Sequence, residues 1–114
     1  MWVAIDLAKA LGSKLFVLLV ISPSSSERER KELIKEGKKK LNDIVGLAAD
    51  LDLEVNALLE GGEPRDTIVT AAERLEAGTV VVGTSEKTAL NRMLIGSVSE
   101  HVIRNTGCTV IVVK

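Results

Sequence analysis

The chain has 114 residues, 46% of them hydrophobic, which suits one domain built around one sheet-and-helix core. Fifteen Lys and Arg against sixteen Asp and Glu leave a net charge of −1, excluding a global electrostatic pull toward nucleic acid or an anionic membrane, so any anion must be held locally. The longest apolar run, Leu15 to Ile21, is far short of a bilayer span, the amino terminus lacks the basic flank and cleavage site of a secretion signal, and a lone Cys108 excludes an internal disulfide or a Cys-rich metal site; the cytoplasm is the expected compartment.

Val3 to Leu11 places Ala4, Ile5, Ala8 and Leu11 at helical spacing and is followed by Gly12, an amphipathic helix stopped by a glycine. Leu15 to Ile21 is continuously apolar and runs into Ser22-Pro23, the pattern of a strand covered on both faces. Ser26 followed by Glu29 has capping-box spacing and predicts a long helix to about Ala49, with Leu33, Ile34, Leu41, Ile44, Val45 and Ala48 on its apolar stripe. The basic triplet Lys38 to Lys40 reads as a solvated face of that helix rather than a nucleic-acid patch. Trp2 and Phe16 are too few aromatics for a base-stacking platform.

Leu53 to Leu59 predicts a second strand, ended by Gly61-Gly62, and Pro64 opens a helix that carries Ile68, Ala72 and Leu75 on one face and stops at Gly78. Thr79 to Val82 is a third strand, Ser97 to Asn105 a fourth helix stopped around Gly107, and Cys108 to Val113 the last strand. Strands alternating with helices imply βαβ units and a mainly parallel open sheet between helical layers, a three-layer α/β/α sandwich in one domain over residues 1–114.

Ligands of such sheets sit beyond the carboxyl ends of the strands, which singles out the loop after Val82. Gly83 and Gly96 let the backbone turn at either end of that loop, and the N–H groups at the start of the following helix, beside Ser97 and Ser99, suit a phosphate. A competing reading is purely structural, because Ser97-Val98-Ser99-Glu100 is also a capping-box pattern. His101 has neither a Cys nor a second His to share a metal and reads as a surface or boundary residue, and Cys108, opening the last strand, reads as a small buried hydrophobe with no base beside it.

The segment from Gly83 through GSVSE to the closing TVIVV resembles the carboxyl-terminal half of a universal stress protein domain, and GGEP and AIDLAKALGSKLFVLLVI extend the resemblance over nearly the whole chain. Nucleotide-binding members of that family carry a glycine, two residues, a second glycine, nine residues, then Gly-Ser or Gly-Thr; Gly83 and Gly96-Ser97 fall on the first and last positions, while Glu86 stands at the second. The resemblance implies an adenine-nucleotide-alpha-hydrolase-like fold and binding of ATP or AMP, with Mg accompanying the phosphates. Its carriers would be Gly83, Thr84, Lys87, Arg92, Gly96, Ser97, Val98 and Ser99, with Val20 or Ile21 near the adenine.

Family members also begin with a strand ending in an Asp that contacts the nucleotide, and no such strand precedes Val3. In the family's 3-2-1-4-5 sheet its absence would separate neighbours by about 10 Å, twice the strand spacing. The chain then starts inside the domain, the sheet closes up, or another chain donates a strand; the first is the expectation, and a ladder between the Leu15 and Thr79 strands would overturn it. The resemblance further implies a homodimer through the edge strand Thr109 to Val113. Three functions compete: a stress-response regulator that binds an adenine nucleotide with little turnover, an interaction module that keeps the fold without the ligand, and a nucleotide hydrolase, for which no general base or Walker-type loop is visible.

Overall fold

A computed structural model of the chain describes residues 2–23, 26–83 and 97–113. It divides into two compact units, Met1–Glu63 and Pro64–Lys114. The described strands form two parallel ladders, one in each unit, and a ladder between the Leu15 and Thr79 strands is not among them.

In the first unit the order is α1 (Trp2–Leu11), β1 (Leu15–Ile21), α2 (Glu27–Asp50) and β2 (Val55–Gly61). α1 ends as its glycine foretells: Gly12 takes φ +64° and the Ser13 N–H donates to the Ala8 carbonyl at 3.0 Å. β1 pairs with β2 in parallel, from Leu15 opposite Val55 to Ile21 opposite Gly61. Ser26 caps α2, its hydroxyl accepting from the Glu29 N–H at 3.3 Å, and Glu27 and Glu29 complement the positive end of the helix dipole. Lys38 to Lys40 are exposed, as a solvated face requires.

The core of this unit is Val17 of β1, Leu41 and Ala48 of α2 and Val55 of β2, with Leu15, Leu19, Ile44, Val45, Leu53 and Leu59 packed against it. Odd-numbered β1 residues therefore face α2. The other face is only partly covered, Phe16 being 38% exposed, so the expectation of a strand buried on both faces fails at its start. β2 also begins two residues later than its apolar run suggests. The Leu53 N–H is committed to the Ala48 carbonyl (2.9 Å) and that of Asp52, at φ +59°, to Ala49 (3.0 Å), so Leu53 closes α2 instead of joining the ladder.

Two glycines within α2 have opposite meanings. Gly46 is exposed and a Cβ there would meet nothing within 4 Å; Gly37 is buried, and a Cβ would lie 3.0 Å from the tips of Leu19 and Leu59 and 3.4 Å from that of Ile21. Gly46→Ala is expected to stabilise the chain by about 0.5–1 kcal/mol, because helix propensity rises with no steric cost. Gly37→Leu is expected to destabilise it by about 1–3 kcal/mol through overpacking. Urea midpoints that move the same way for both variants would contradict the packing described.

In the second unit α3 (Pro64–Arg74), β3 (Thr79–Gly83), α4 (Ser97–Asn105) and β4 (Thr109–Val113) follow. Pro64 sits at the first helical position, where its missing N–H costs nothing. α3 stops four residues before Gly78: Glu76 takes φ +51°, and the N–H groups of Glu76 and Ala77 donate to the carbonyls of Glu73 (3.1 Å) and Ala72 (3.0 Å). β3 and β4 are parallel in register Thr79 opposite Thr109, and the ladder is extended by Thr109 N–H donating to the Gly78 carbonyl at 3.2 Å. α3 and α4 pack together, with Ala71 and Val102 buried. Gly107 is not left-handed; α4 ends where both the N–H (3.0 Å) and the hydroxyl (2.8 Å) of Thr106 donate to the Val102 carbonyl.

Candidate functional site

In the second unit, the β3–α4–β4 order puts Gly83 at the carboxyl end of β3 and Ser97 in the first turn of α4, the two ends of the connection singled out from sequence. The first N–H groups of any helix lack intrahelical partners, so those of Ser97, Val98 and Ser99 carry the partial positive charge of α4. Val98 is half-buried and Ser99 is 1% exposed. Thr84, Lys87, Arg92 and Gly96 lie outside the described residues, as does Glu86.

α4 makes contacts that the sequence did not announce, one of them to α3. The His101 Nε2 lies 3.3 Å from the Asp66 Oδ1 on α3, while the Asn105 amide donates to the His101 carbonyl at 2.8 Å and stands 3.3 Å from the His101 Nδ1. His101 is thus a half-buried residue at the boundary between the two helices, in agreement with its reading as a surface or boundary residue. Arg104 takes the Oε1 of Glu100, at 3.0 Å from Nη2 and 3.1 Å from Nε, the ordinary i,i+4 arrangement of an exposed helix face. Cys108, expected buried at the start of the last strand, is instead half-buried and directly precedes β4.

In the first unit the two residues expected beside the adenine part company. The tip of Ile21 lies against Gly37 of α2, on the helix-covered face. Val20, its neighbour in an alternating strand, stands on the other face, opposite Glu60 in register. Ile21 lines a cavity of about 520 Å³ at the carboxyl ends of β1 and β2, together with Arg30, Ile34, Leu59 and Gly61; Val20 does not line it. The sequence reading missed this cavity because its makers, Arg30 and Gly61, look like a solvated helix charge and a turn glycine.

Among the described residues, no three His, Cys, Asp or Glu side chains are grouped to hold a metal ion, and no helix is long and apolar enough to cross a membrane.

Comparison with known proteins gives these positions a context. Residues 3–114 match the model of the universal stress protein family. Universal stress protein MJ0531 of Methanocaldococcus jannaschii is 34% identical over 120 residues, covering 97% of the chain and 71% of the relative. MJ0577 of the same organism is 33% identical over 85 residues, covering 75% of the chain but 52% of its own length. The solved structure of MJ0577 superposes with a TM-score of 0.79 at 29% identity, covering 99% of the chain and 86% of that structure. A universal stress protein from Archaeoglobus fulgidus in complex with dAMP superposes with a TM-score of 0.76 at 25% identity, covering 98% and 82%. UspA from Lactobacillus plantarum, at 19% identity and a TM-score of 0.88 over 99% and 86%, shows the same α/β fold.

Proposed function

The chain belongs to the universal stress protein family, and from that premise we propose that it binds an adenine nucleotide, ATP or AMP, as a stress-response regulator without substantial turnover. The observation that carries this reading is the opening of α4 on Ser97, across the connection from the carboxyl end of β3, where first-turn N–H groups suit phosphate oxygens. The dAMP bound to the Archaeoglobus relative supports the ligand class. In this proposal Gly83, Thr84, Gly96, Ser97, Val98 and Ser99 form the phosphate side, and Lys87 and Arg92 offset the charge of Glu86. The chain acts as a single domain in the cytoplasm, and a homodimer forms through β4; light scattering that finds only monomer across the micromolar range would remove the dimer.

A ligand that binds only the native state must stabilise it, by about 2.7 kcal/mol at one hundred times its Kd. Melting temperature is therefore expected to rise with ATP or AMP and to stay put with inorganic phosphate. No shift with any adenine nucleotide at millimolar concentration would favour the second reading, an interaction module that has kept the fold alone. Glu86 at the family's second glycine position favours that outcome, since it sets a carboxylate where phosphates would approach.

A further inference from the structure

We propose that the cavity between α2 and the carboxyl ends of β1 and β2 binds a small amphipathic carboxylate, its apolar body against Ile21, Ile34 and Leu59 and its head group at Arg30. This site lies in the first unit and is independent of the nucleotide reading. Its volume, about 520 Å³, falls in the range of small-molecule sites. Arg30 and Ile34 are four residues apart on α2, so one turn of helix presents a guanidinium above an apolar wall. Among the described residues no ion pair or hydrogen bond engages the Arg30 guanidinium. Glu60 also borders the cavity; in the alternating strand its position falls on the face away from α2, with Val20.

Gly61 supplies the second argument. Its pair with Ile21 places it on the α2 side of β2, and unlike Gly62, at φ +147°, it has no positive φ that would demand a glycine. A Cβ there would meet only the Ile21 carbonyl oxygen, at 3.9 Å. Neither backbone nor packing excludes a side chain at 61, so the effect of the glycine is to leave the cavity empty. A single planar guanidinium beside apolar walls matches a carboxylate, which it can grip with two parallel N–H bonds; a phosphate dianion would call for further cations.

Titration of the isotope-labelled chain with sodium octanoate, followed by amide NMR, tests the site, with octan-1-ol as the uncharged probe. Octanoate is expected to shift the amides of Ile21, Ile34, Gly61 and Gly62 saturably. Gly61→Leu is expected to abolish those shifts by plugging the cavity, and Gly61→Ala to weaken them should the leucine variant fail to fold. Arg30→Gln is expected to weaken octanoate about tenfold while leaving octan-1-ol unchanged. Unshifted amides at millimolar octanoate, undiminished binding by a folded Gly61 variant, or equal losses for both probes in Arg30→Gln would overturn the proposal. So would AMP shifting the same amides and displacing octanoate, which would make the cavity part of the nucleotide site. An absence of nucleotide binding with octanoate binding intact would defeat the nucleotide reading alone.

Discussion

Leu41→Ala is expected to cost the folded state about 2–5 kcal/mol, the range for a large apolar side chain removed from a core that relaxes only partly. Leu41 is 6% exposed and belongs to the buried cluster formed with Val17, Ala48 and Val55, so it packs α2 against β1 and β2. Domains of this size are stable by about 5–15 kcal/mol in all, so at mid-range values the loss would consume about a third of the margin. Leu41→Met, nearly equal in volume, should cost less than about 1.5 kcal/mol. Urea unfolding monitored by circular dichroism reads both, and a Leu41→Ala midpoint close to that of the parent would show that α2 does not hold β1 and β2 as described.

Helix starts were more legible than helix stops. Ser26 and Pro64 announce α2 and α3 because their chemistry acts at the terminus itself: one hydroxyl accepts a free N–H, and one ring omits an N–H that has no use. The stops follow one bond pattern in α1, α2 and α3, a left-handed residue after the last turn with the next N–H reaching back into it, yet only α1 fills that position with a glycine. Asp52 and Glu76 do the same work in α2 and α3. A reading that waits for glycine therefore carries α3 on to Gly78 and hands Leu53 to β2, although its N–H is already engaged by Ala48. Tertiary packing carries the extra cost of a side chain at positive φ, and sequence spacing alone does not register it.

Of the candidate site, the part fixed by main-chain geometry was legible. A helix opening on Ser97 after a strand of Thr79 to Val82 follows from glycine spacing and apolar periodicity, and the observed strand runs one residue further, to Gly83. What was not legible depends on which way a side chain faces. Val20 and Ile21 are adjacent in sequence and equivalent in hydropathy, and only the pairing of β1 with α2 separates them. Arg30 and Gly61 belong to elements that meet only once β1 and β2 are paired, so neither residue signals the cavity by itself. The Asp66–His101 contact is likewise a product of α3 packing on α4.

Ser97→Asp is expected to lower affinity for ATP by about a hundredfold while leaving the ligand-free chain as stable or slightly more so. A carboxylate in the first turn of α4 complements the helix dipole, worth about 0.3–1 kcal/mol, so the fold is not the casualty. The same carboxylate competes with phosphate for the N–H groups and repels it. Two unit charges about 4 Å apart at an effective dielectric of about 20 oppose each other by roughly 4 kcal/mol, which exceeds the gain in helix stability several times over. Ser97→Ala, in contrast, should change affinity little, because the main-chain N–H groups survive it. Melting shifts across ATP, AMP and adenosine separate the terms: the loss should be largest for ATP and absent for adenosine, which has no phosphate to repel. An ATP shift that persists in Ser97→Asp would place the phosphates somewhere other than the start of α4, and a loss that extends equally to adenosine would point to altered structure in place of charge.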